Sequence, residues 1–158
     1  VNAYVTWASN TTRPKVVVVY ETMWGATEKM ARKIVEGITA SGIEVKLFDI
    51  NSADRTEVVN EMLDAKGFIF GSSTHDNGML PAMAGLLAFV KGLKPQKRLA
   101  ACFGSFGWAG GAVKEIEELA KETGLEIAQP GLGIQYVPNQ EELNLCYEFG
   151  RNFSQKIT

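Results

Sequence analysis

The segment ETMWGAT at residues 21–27 follows four consecutive valines and places two threonines around a glycine. A helix that begins near Gly25 would direct its free N–H groups and the positive end of its dipole at this loop. Thr22 and Thr27 can add hydroxyl donors, and Gly25 lets the backbone curve closely around an anion. The loop therefore predicts a phosphate site that needs no cationic side chain, although a capped helix start without a ligand also fits it.

Two familiar phosphate motifs do not match the chain. The nucleotide P-loop requires a lysine directly after its second glycine, whereas Gly25 is followed by Ala-Thr-Glu-Lys. The segment GLGIQY at residues 131–136 lacks the third glycine and the following helix of the dinucleotide fingerprint. The sequence thus points away from both nucleotide-binding patterns.

Two more loops carry groups suited to a flat ring. SSTHDNG at residues 72–78 is rich in hydroxyl, amide and backbone groups that can meet the polar edge of a heteroaromatic ring. GSFGWAGG at residues 104–111 offers Phe106 and Trp108 for stacking, with glycines that allow close backbone approach. Each loop alone is weak evidence, since a partly exposed His75 or a Trp108 that only fills a gap between loop and helix would leave the same pattern.

The chain alternates short apolar runs with amphipathic segments. This pattern predicts strands over residues 15–20, 43–49, 66–73, 97–104 and 126–137, and helices over residues 25–41, 54–63, 79–93, 109–123 and from 139 onward. The last strand is interrupted at Pro130, which is typical of a sheet edge or a bulge. The alternation predicts an α/β three-layer sandwich, with five parallel strands in the order 2-1-3-4-5 and helices on both faces.

In that strand order, ligands bind beyond the carboxyl ends of the strands, where the loops after strands one, three and four surround one crevice. These are the three loops in which the chain concentrates its hydroxyls, glycines and several of its aromatic residues. A flat apolar ring with one phosphate tail would use all three loops at once. FMN has this shape, and the sequence predicts FMN as the cofactor.

The phosphate loop from Thr22 to Thr27 resembles the flavodoxin pattern Ser/Thr-x-x-Gly-x-Thr. More narrowly, the segments YETMWGATEKMA, DNGMLPAMAGLLAFVKGLKP and FGSFGWAGGAVKEIEE are similar to the flavodoxin domain of flavodiiron proteins, also called A-type flavoproteins. The resemblance covers residues 4–157, nearly the whole chain. It includes Tyr4 and the Trp7-Ala8 pair, which are similar to the connector that follows a metallo-β-lactamase-like domain in that family.

This resemblance implies one role for each loop. The first would bind the FMN phosphate, the second would line the isoalloxazine edge and ribityl chain, and the third would cover the other side of the ring. His75 and Asp76 depart from the family pattern, in which asparagine or another residue is common. The resemblance implies no catalytic or metal-ligating residue, and the candidate cofactor-binding residues are Thr22, Met23, Trp24, Gly25, Ala26, Thr27, Ser73, Thr74, His75, Asp76, Asn77, Gly78, Ser105, Phe106, Gly107, Trp108, Ala109 and Gly110.

The resemblance also implies partners. FMN would accept electrons from a rubredoxin or a flavin reductase and pass them to the diiron centre of a metallo-β-lactamase-like domain, which reduces O2 or NO. That domain would belong to the same full-length chain or to a partner subunit packed head to tail, an arrangement that allows a homodimer. A diiron site needs several histidine and carboxylate ligands, and this chain has one histidine. Its own role would be to carry electrons.

Length and composition set the broad class. With 158 residues the chain suffices for one domain; we predict a linker or tail from a preceding domain over residues 1–14 and the FMN-binding domain over residues 15–158. A start without methionine favours a piece of a longer chain. A net charge of −2 without a basic block argues against nucleic-acid binding, and no apolar stretch is long enough for a membrane span. Two cysteines in apolar patterns favour a reducing, cytoplasmic location.

Three alternatives stay open from the sequence. A free-standing flavodoxin or a small FMN-dependent quinone reductase would share the fold and the cofactor. A receiver-type signalling domain shares the strand order, but it needs an acidic pair after strand one and a phospho-accepting aspartate after strand three; the chain has Tyr20-Glu21-Thr22 and Ser72-Ser73-Thr74 there. A scaffold without a cofactor is the third.

The charge of the three loops predicts a redox property. They contain few acids, chiefly Glu21 and Asp76, and no lysine or arginine. An anionic reduced flavin would be repelled less there than in a carrier with acid-lined loops. The two one-electron potentials of the flavin are therefore expected to lie closer together than in such carriers.

Overall fold

The computed structural model describes residues 12–74, 78–93, 97–107 and 110–157. Its strands are β1 Arg13–Glu21, β2 Glu44–Asp49, β3 Ala65–Ser73, β4 Leu99–Phe106, β5 Glu126–Ile127 and β6 Leu132–Gln135. Its helices are α1 Ala26–Ala40, α2 Arg55–Leu63, α3 Pro81–Leu93, α4 Ala112–Glu122 and α5 Gln140–Ile157. Each element predicted from the sequence is present, with small shifts at the ends.

The strands form one parallel sheet in the order β2-β1-β3-β4-β5, and β6 also pairs with β4. Leu99 of β4 is the register partner of Glu126, and Phe103 further along β4 is the partner of Leu132. β5 and β6 therefore share the fifth position, one after the other. The break predicted at Pro130 lies between them. The predicted fold class, with strand order 2-1-3-4-5 and helices on both faces, is confirmed.

The central strand β1 is covered on both faces. All four side chains of Val16–Val19 are fully buried, as expected for an inner strand of a parallel sheet. Because successive side chains point to opposite faces, Val17 packs with Phe68 in one core and Val16 packs with Ile69 in the other. The sheet is thus packed between two apolar layers, which hold its carboxyl edge in place.

Two glycines let α1 and α5 cross at backbone contact. A Cβ atom added to Gly37 would overlap the carbonyl oxygen of Tyr147, and one added to Gly150 would overlap the carbonyl oxygen of Ile34. Side chains at either position would force the helices apart. This close crossing fixes α1, whose first turn follows the predicted phosphate loop.

A cluster of ion pairs lies at the amino end of the sheet, opposite to the predicted site. The buried Lys15 donates from Nζ to Glu61 at 2.9 Å and to Asp64 at 2.7 Å, and Arg13 donates to Asp64 at 2.8 Å. Burial works to raise the pKa of Asp64, but the hydrogen bonds and charges of Lys15 and Arg13 outweigh it and lower that pKa below the usual 3.8. Arg13 and Pro14 lie in β1, whereas residues 1–11 of the predicted linker lie outside the described residues.

None of the described helices combines the length and the apolar character of a membrane span.

Candidate functional site

Three buried hydroxyls join the three predicted loops. The Oγ1 atom of Thr27 lies 2.8 Å from Oγ of Ser73 and 2.7 Å from Oγ of Ser105. Ser73 ends β3, Ser105 is its register partner in β4, and Thr27 belongs to the first turn of α1. We call these three residues the hydroxyl cluster. It brings the loops after strands one, three and four together at one point of the carboxyl edge.

The phosphate loop has the backbone shape that an anion site requires. Gly25 has φ of 90°, a left-handed conformation that favours glycine, and its N–H donates to Oγ1 of Thr22 at 2.9 Å. The first helical hydrogen bond runs from Lys29 to the carbonyl of Gly25, so the N–H groups of Ala26 and Thr27 have no acceptor within the helix. These groups and the positive end of the α1 dipole can hold a phosphate without a cation.

An open cleft of about 270 Å³ lies next to the hydroxyl cluster. Eight of the predicted residues line it: Met23, Trp24, Ala26, Ser73, Thr74, Ser105, Phe106 and Gly107. The described residues around the cleft carry no charged side chain. The indole of Trp24 is 87% exposed at the rim. A flat apolar ring can therefore enter the cleft and keep one edge in contact with solvent.

Two further residues line the cleft that the sequence reasoning missed. Tyr136 and Val137 follow β6, and both are exposed. Tyr136 has φ of 60°, an uncommon conformation for a side chain of its size, and its N–H donates to the carbonyl of Phe106. The side chain of Gln135 donates to the carbonyl of Gly107 at 3.0 Å. The one available signal was an aromatic residue near the carboxyl end of the predicted fifth strand, which must end at the same sheet edge as the other parallel strands.

The other predicted residues lie around the cleft in different ways. Gly78 is buried beside the carboxylate of Glu115. Gly110 lines a second cleft of about 400 Å³, which Phe106 and Lys114 also line. The remaining five predicted residues lie outside the described residues, and their contacts stay predictions: His75, Asp76, Asn77, Trp108 and Ala109.

The acid that directly precedes Thr22 faces away from the phosphate loop. Glu21 is buried, and its Oε1 atom accepts a hydrogen bond from the N–H of Met83 in α3 at 2.9 Å. Its carboxylate therefore meets the positive end of the α3 dipole. The neighbouring Tyr20 stays neutral, because burial, followed by the charges of Glu28 and Asp49, raises the pKa of its phenol to about 12.

Both cysteines lie in the apolar cores. Cys102 packs on one side of the sheet and Cys146 on the other, and both thiols are fully buried. Burial raises the pKa of Cys146 to about 12 and raises the pKa of Cys102 further. Neither forms a thiolate at neutral pH. Both cysteines are thus core residues, in agreement with the apolar patterns around them in the sequence.

These features fit FMN. The left-handed Gly25 and the free N–H groups of the first turn of α1 suit a phosphate. The hydroxyl of Thr22 lies in the same loop, and the apolar cleft between Trp24 and Phe106 suits a flat ring. An open parallel sheet of this strand order, with an uncharged anion loop next to an apolar cleft at the switch point, defines a flavodoxin-type, flavin-carrying domain.

Comparison with known families agrees with this class. Residues 18–150 match the family model described as Flavodoxin. The chain belongs to the flavodoxin family. FMN is the cofactor of that family, which confirms the predicted cofactor.

The similarity extends to proteins longer than this chain. The chain is 43% identical to a nitric oxide reductase of Moorella thermoacetica, over 99% of this chain and 40% of that protein. It is 36% identical to a rubredoxin-oxygen oxidoreductase of Megalodesulfovibrio gigas, over 99% of this chain and 38% of that protein. The chain thus spans about two fifths of the length of these curated relatives.

Solved structures give the same result. The fold matches the rubredoxin oxygen:oxidoreductase of Desulfovibrio gigas with a TM-score of 0.92 and 34% identity, over 98% of this chain and 38% of that one. It matches the flavodiiron protein of Giardia intestinalis with a TM-score of 0.91 and 29% identity, over 99% and 39%. An archaeal flavodoxin matches with a TM-score of 0.83 and 30% identity, over 90% of this chain and 98% of that one. The predicted resemblance to the flavodoxin domain of flavodiiron proteins is confirmed.

Proposed function

We propose that this chain is the electron-carrying FMN domain of a two-domain flavodiiron oxidoreductase of the cytoplasm. It takes electrons from a rubredoxin or a flavin reductase and passes them to the diiron centre of a metallo-β-lactamase-like domain that reduces O2 or NO. One observation carries the proposal: similarity to flavodiiron relatives covers 99% of the chain, whereas similarity to the archaeal free-standing flavodoxin covers 90%. That difference favours the domain of a larger protein over the free carrier.

Different residues of the site would hold the phosphate and the ring of FMN. The N–H groups of Ala26 and Thr27 and the hydroxyl of Thr22 would hold the phosphate. Trp24 and Tyr136, at the rim of the cleft, would flank the ring and exclude water from its faces. Bound FMN supplies the redox chemistry, because its ring can take up and release electrons one or two at a time. The described residues that line the cleft carry no acid, so none of them would repel an anionic flavin ring.

A contiguous apolar rim marks the face that would meet the partner. Met23, Trp24, Tyr136 and Val137 are all exposed and surround the mouth of the cleft. Exposed apolar residues grouped around a functional cleft are typical of protein–protein contacts. We place the diiron domain on this rim, contributed by the same full-length chain or by a second copy in a head-to-tail dimer. The exposed edge of the flavin would then face the acceptor.

The first experiment is the flavin content of the purified chain. We expect about one FMN per chain after incubation with excess FMN, released as FMN and not FAD on denaturation, and reduced by a rubredoxin in rapid-mixing absorbance measurements. If the purified chain binds no flavin at excess FMN, the proposed function is refuted. The acceptor is tested in the full-length protein, where the consumption of O2 and of NO is measured with the same donor.

The rim is tested in the same full-length protein. Trp24→Ala, measured with FMN in excess so that the site stays filled, should slow reoxidation of the flavin by the diiron domain, because it removes the most exposed apolar side chain of the rim. Leu145→Ala is the matched control, since Leu145 is also an exposed apolar residue, 55% accessible, but lies on α5. Equal reoxidation rates in both variants would contradict the assignment of this face.

A further inference from the structure

We propose that Glu21 is a positioning residue for the flavin site: it ties the start of α3, which follows the ring-edge loop (the predicted loop after β3), to the strand that carries the phosphate loop. The inference rests on the proposed FMN binding. The buried carboxylate accepts the hydrogen bond from the N–H of Met83 at 2.9 Å, across 62 residues of sequence. Glu21 lies one residue before Thr22, so its hydrogen bond connects the strand next to the phosphate loop with the start of α3.

The start of helix α3 needs a hydrogen-bond acceptor from another part of the chain. Its first residue is Pro81, so Leu80 precedes the helix at the capping position and Met83 is its third residue. The N–H of the third residue normally bonds to a serine, threonine, asparagine or aspartate side chain at the capping position. Leu80 has no such group, and the first turn of α3 contains no acid. Glu21 supplies both the acceptor and the negative charge that a helix start favours.

Ser72 supports the same segment from the neighbouring strand. Ser72 is the register partner of Glu21, and its Oγ accepts from the N–H of Leu80 at 2.9 Å while donating to the carbonyl of Ser73 at 2.8 Å. Two adjacent strand ends thus hold two N–H groups at the start of α3. Ser72 therefore contacts Ser73 and Leu80, the described residues on either side of the ring-edge loop.

The contrast with the hydroxyl cluster shows which part of the ligand depends on Glu21. Ser73 points toward the phosphate loop, where its Oγ contacts Thr27 and accepts from the N–H of Met23 at 3.3 Å. Ser72 and Glu21 point to the other face, toward α3. Glu21 therefore acts on the ring-edge loop and not on the phosphate contacts. Its loss should weaken binding of the ring whether or not a phosphate is attached.

The test compares FMN with riboflavin, which has the same ring and no phosphate. Flavin-free protein is titrated with each, and flavin fluorescence quenching gives Kd. In Glu21→Ala we expect Kd to rise about tenfold for both ligands, as for the loss of one hydrogen bond to a charged group, so that their ratio changes less than about threefold. Glu21→Gln keeps an acceptor oxygen and should restore most of the affinity. The visible circular dichroism of the bound flavin should change in Glu21→Ala and return toward wild type in Glu21→Gln.

Asp54→Ala is the matched control for plain loss of stability. Asp54 caps α2 by accepting from the N–H of Thr56 at 2.9 Å, in the loop after β2, which contributes nothing to the cleft. It should lower the melting temperature and leave both Kd values unchanged. If Glu21→Ala fails to fold, Ser72→Ala removes the second acceptor of the same segment and should give the same weakening of both ligands.

The outcomes separate the two proposals. If the wild-type chain binds neither FMN nor riboflavin, the proposed function fails. If it binds both but Glu21→Ala and Ser72→Ala behave like Asp54→Ala, only the positioning role of Glu21 is refuted. A change confined to FMN would also refute that role, since it would place the effect of Glu21 on the phosphate.

Discussion

Removing the hydroxyl of Thr27 is the sharpest test of the site. Thr27→Val keeps the branched shape in a fully buried position and deletes the contacts at 2.8 Å to Ser73 and 2.7 Å to Ser105. Two hydrogen bonds at about 1 kcal/mol each give a loss of about 2 kcal/mol. The two serine oxygens already lie 3.4 Å apart and can bond to each other, which reduces the loss to about 1–2 kcal/mol. The melting temperature of the flavin-free protein should fall by about 3–7 °C.

The effect on cofactor binding should depend on the phosphate. Thr27 is in the first turn of α1, and we predict that its hydroxyl turns from the two serines to the phosphate when FMN binds. Loss of a charge-assisted hydrogen bond of about 1.5–3 kcal/mol would weaken FMN binding about 10- to 100-fold. Riboflavin binding should change by less than about threefold, because riboflavin has no phosphate. Fluorescence titrations of the flavin-free variant with both ligands measure the ratio.

Thr27→Ser is the control, because it keeps the hydroxyl and removes only the methyl group. It should retain the ratio of FMN to riboflavin affinity. If Thr27→Val is less stable but binds both ligands in the wild-type ratio, the hydroxyl stays with Ser73 and Ser105 when FMN binds. That result would remove Thr27 from the phosphate site and leave it a structural role only.

Three other predictions concern the fold around the site. Gly37→Ala should lose about 1–3 kcal/mol of unfolding free energy in urea denaturation, because its Cβ would overlap the carbonyl oxygen of Tyr147. The control Gly92→Ala has open space around it and should gain up to about 1 kcal/mol. Equal effects of the two substitutions would refute the close crossing of the two helix backbones. The lowered pKa of Asp64 contributes stability that is complete above pH 3.8 and is lost as pH falls through the folded-state pKa, so Asp64→Asn should flatten the acid limb of the stability curve; an unchanged limb would contradict this. Cys102 and Cys146, both fully buried, should react with a thiol reagent at neutral pH only on unfolding, and rapid labelling of the native protein would be incompatible with their burial.

The fold and the position of the site follow from local sequence patterns. The valine run at residues 16–19 is typical of an inner strand, and α1 ends close to the predicted residue 41, next to Gly42, which has φ of 79°. The parallel order then brings the loops after strands one, three and four to one edge. No single loop identified the ligand; their convergence did, because it joined an anion site to an apolar cleft.

The sequence could not show which side chains support the site from behind. Glu21 lies in the printed sequence as one of the few acids of the loops, and nothing local to it predicts a bond to Met83. The burial of Thr27 against Ser105, 78 residues away, is likewise a product of tertiary packing. Tyr136 was missed because the sequence predicts it within the last strand, residues 126–137, whereas β6 ends at Gln135 and Tyr136 follows it at the sheet edge. Contacts of this kind depend on the strand register, which the pattern of apolar residues does not specify.

The register also explains how one sheet edge can hold two loops with different tasks. Successive residues of a strand point to opposite faces, so Ser72 and Ser73 at the end of β3 serve different sides. Ser73 joins Ser105 and Thr27 under the phosphate loop, whereas Ser72 joins Glu21 under the start of α3. A substitution on one face can therefore change the affinity for the phosphate without changing the affinity for the ring. This separation is why FMN and riboflavin together, and neither alone, can show which face a substitution has disturbed.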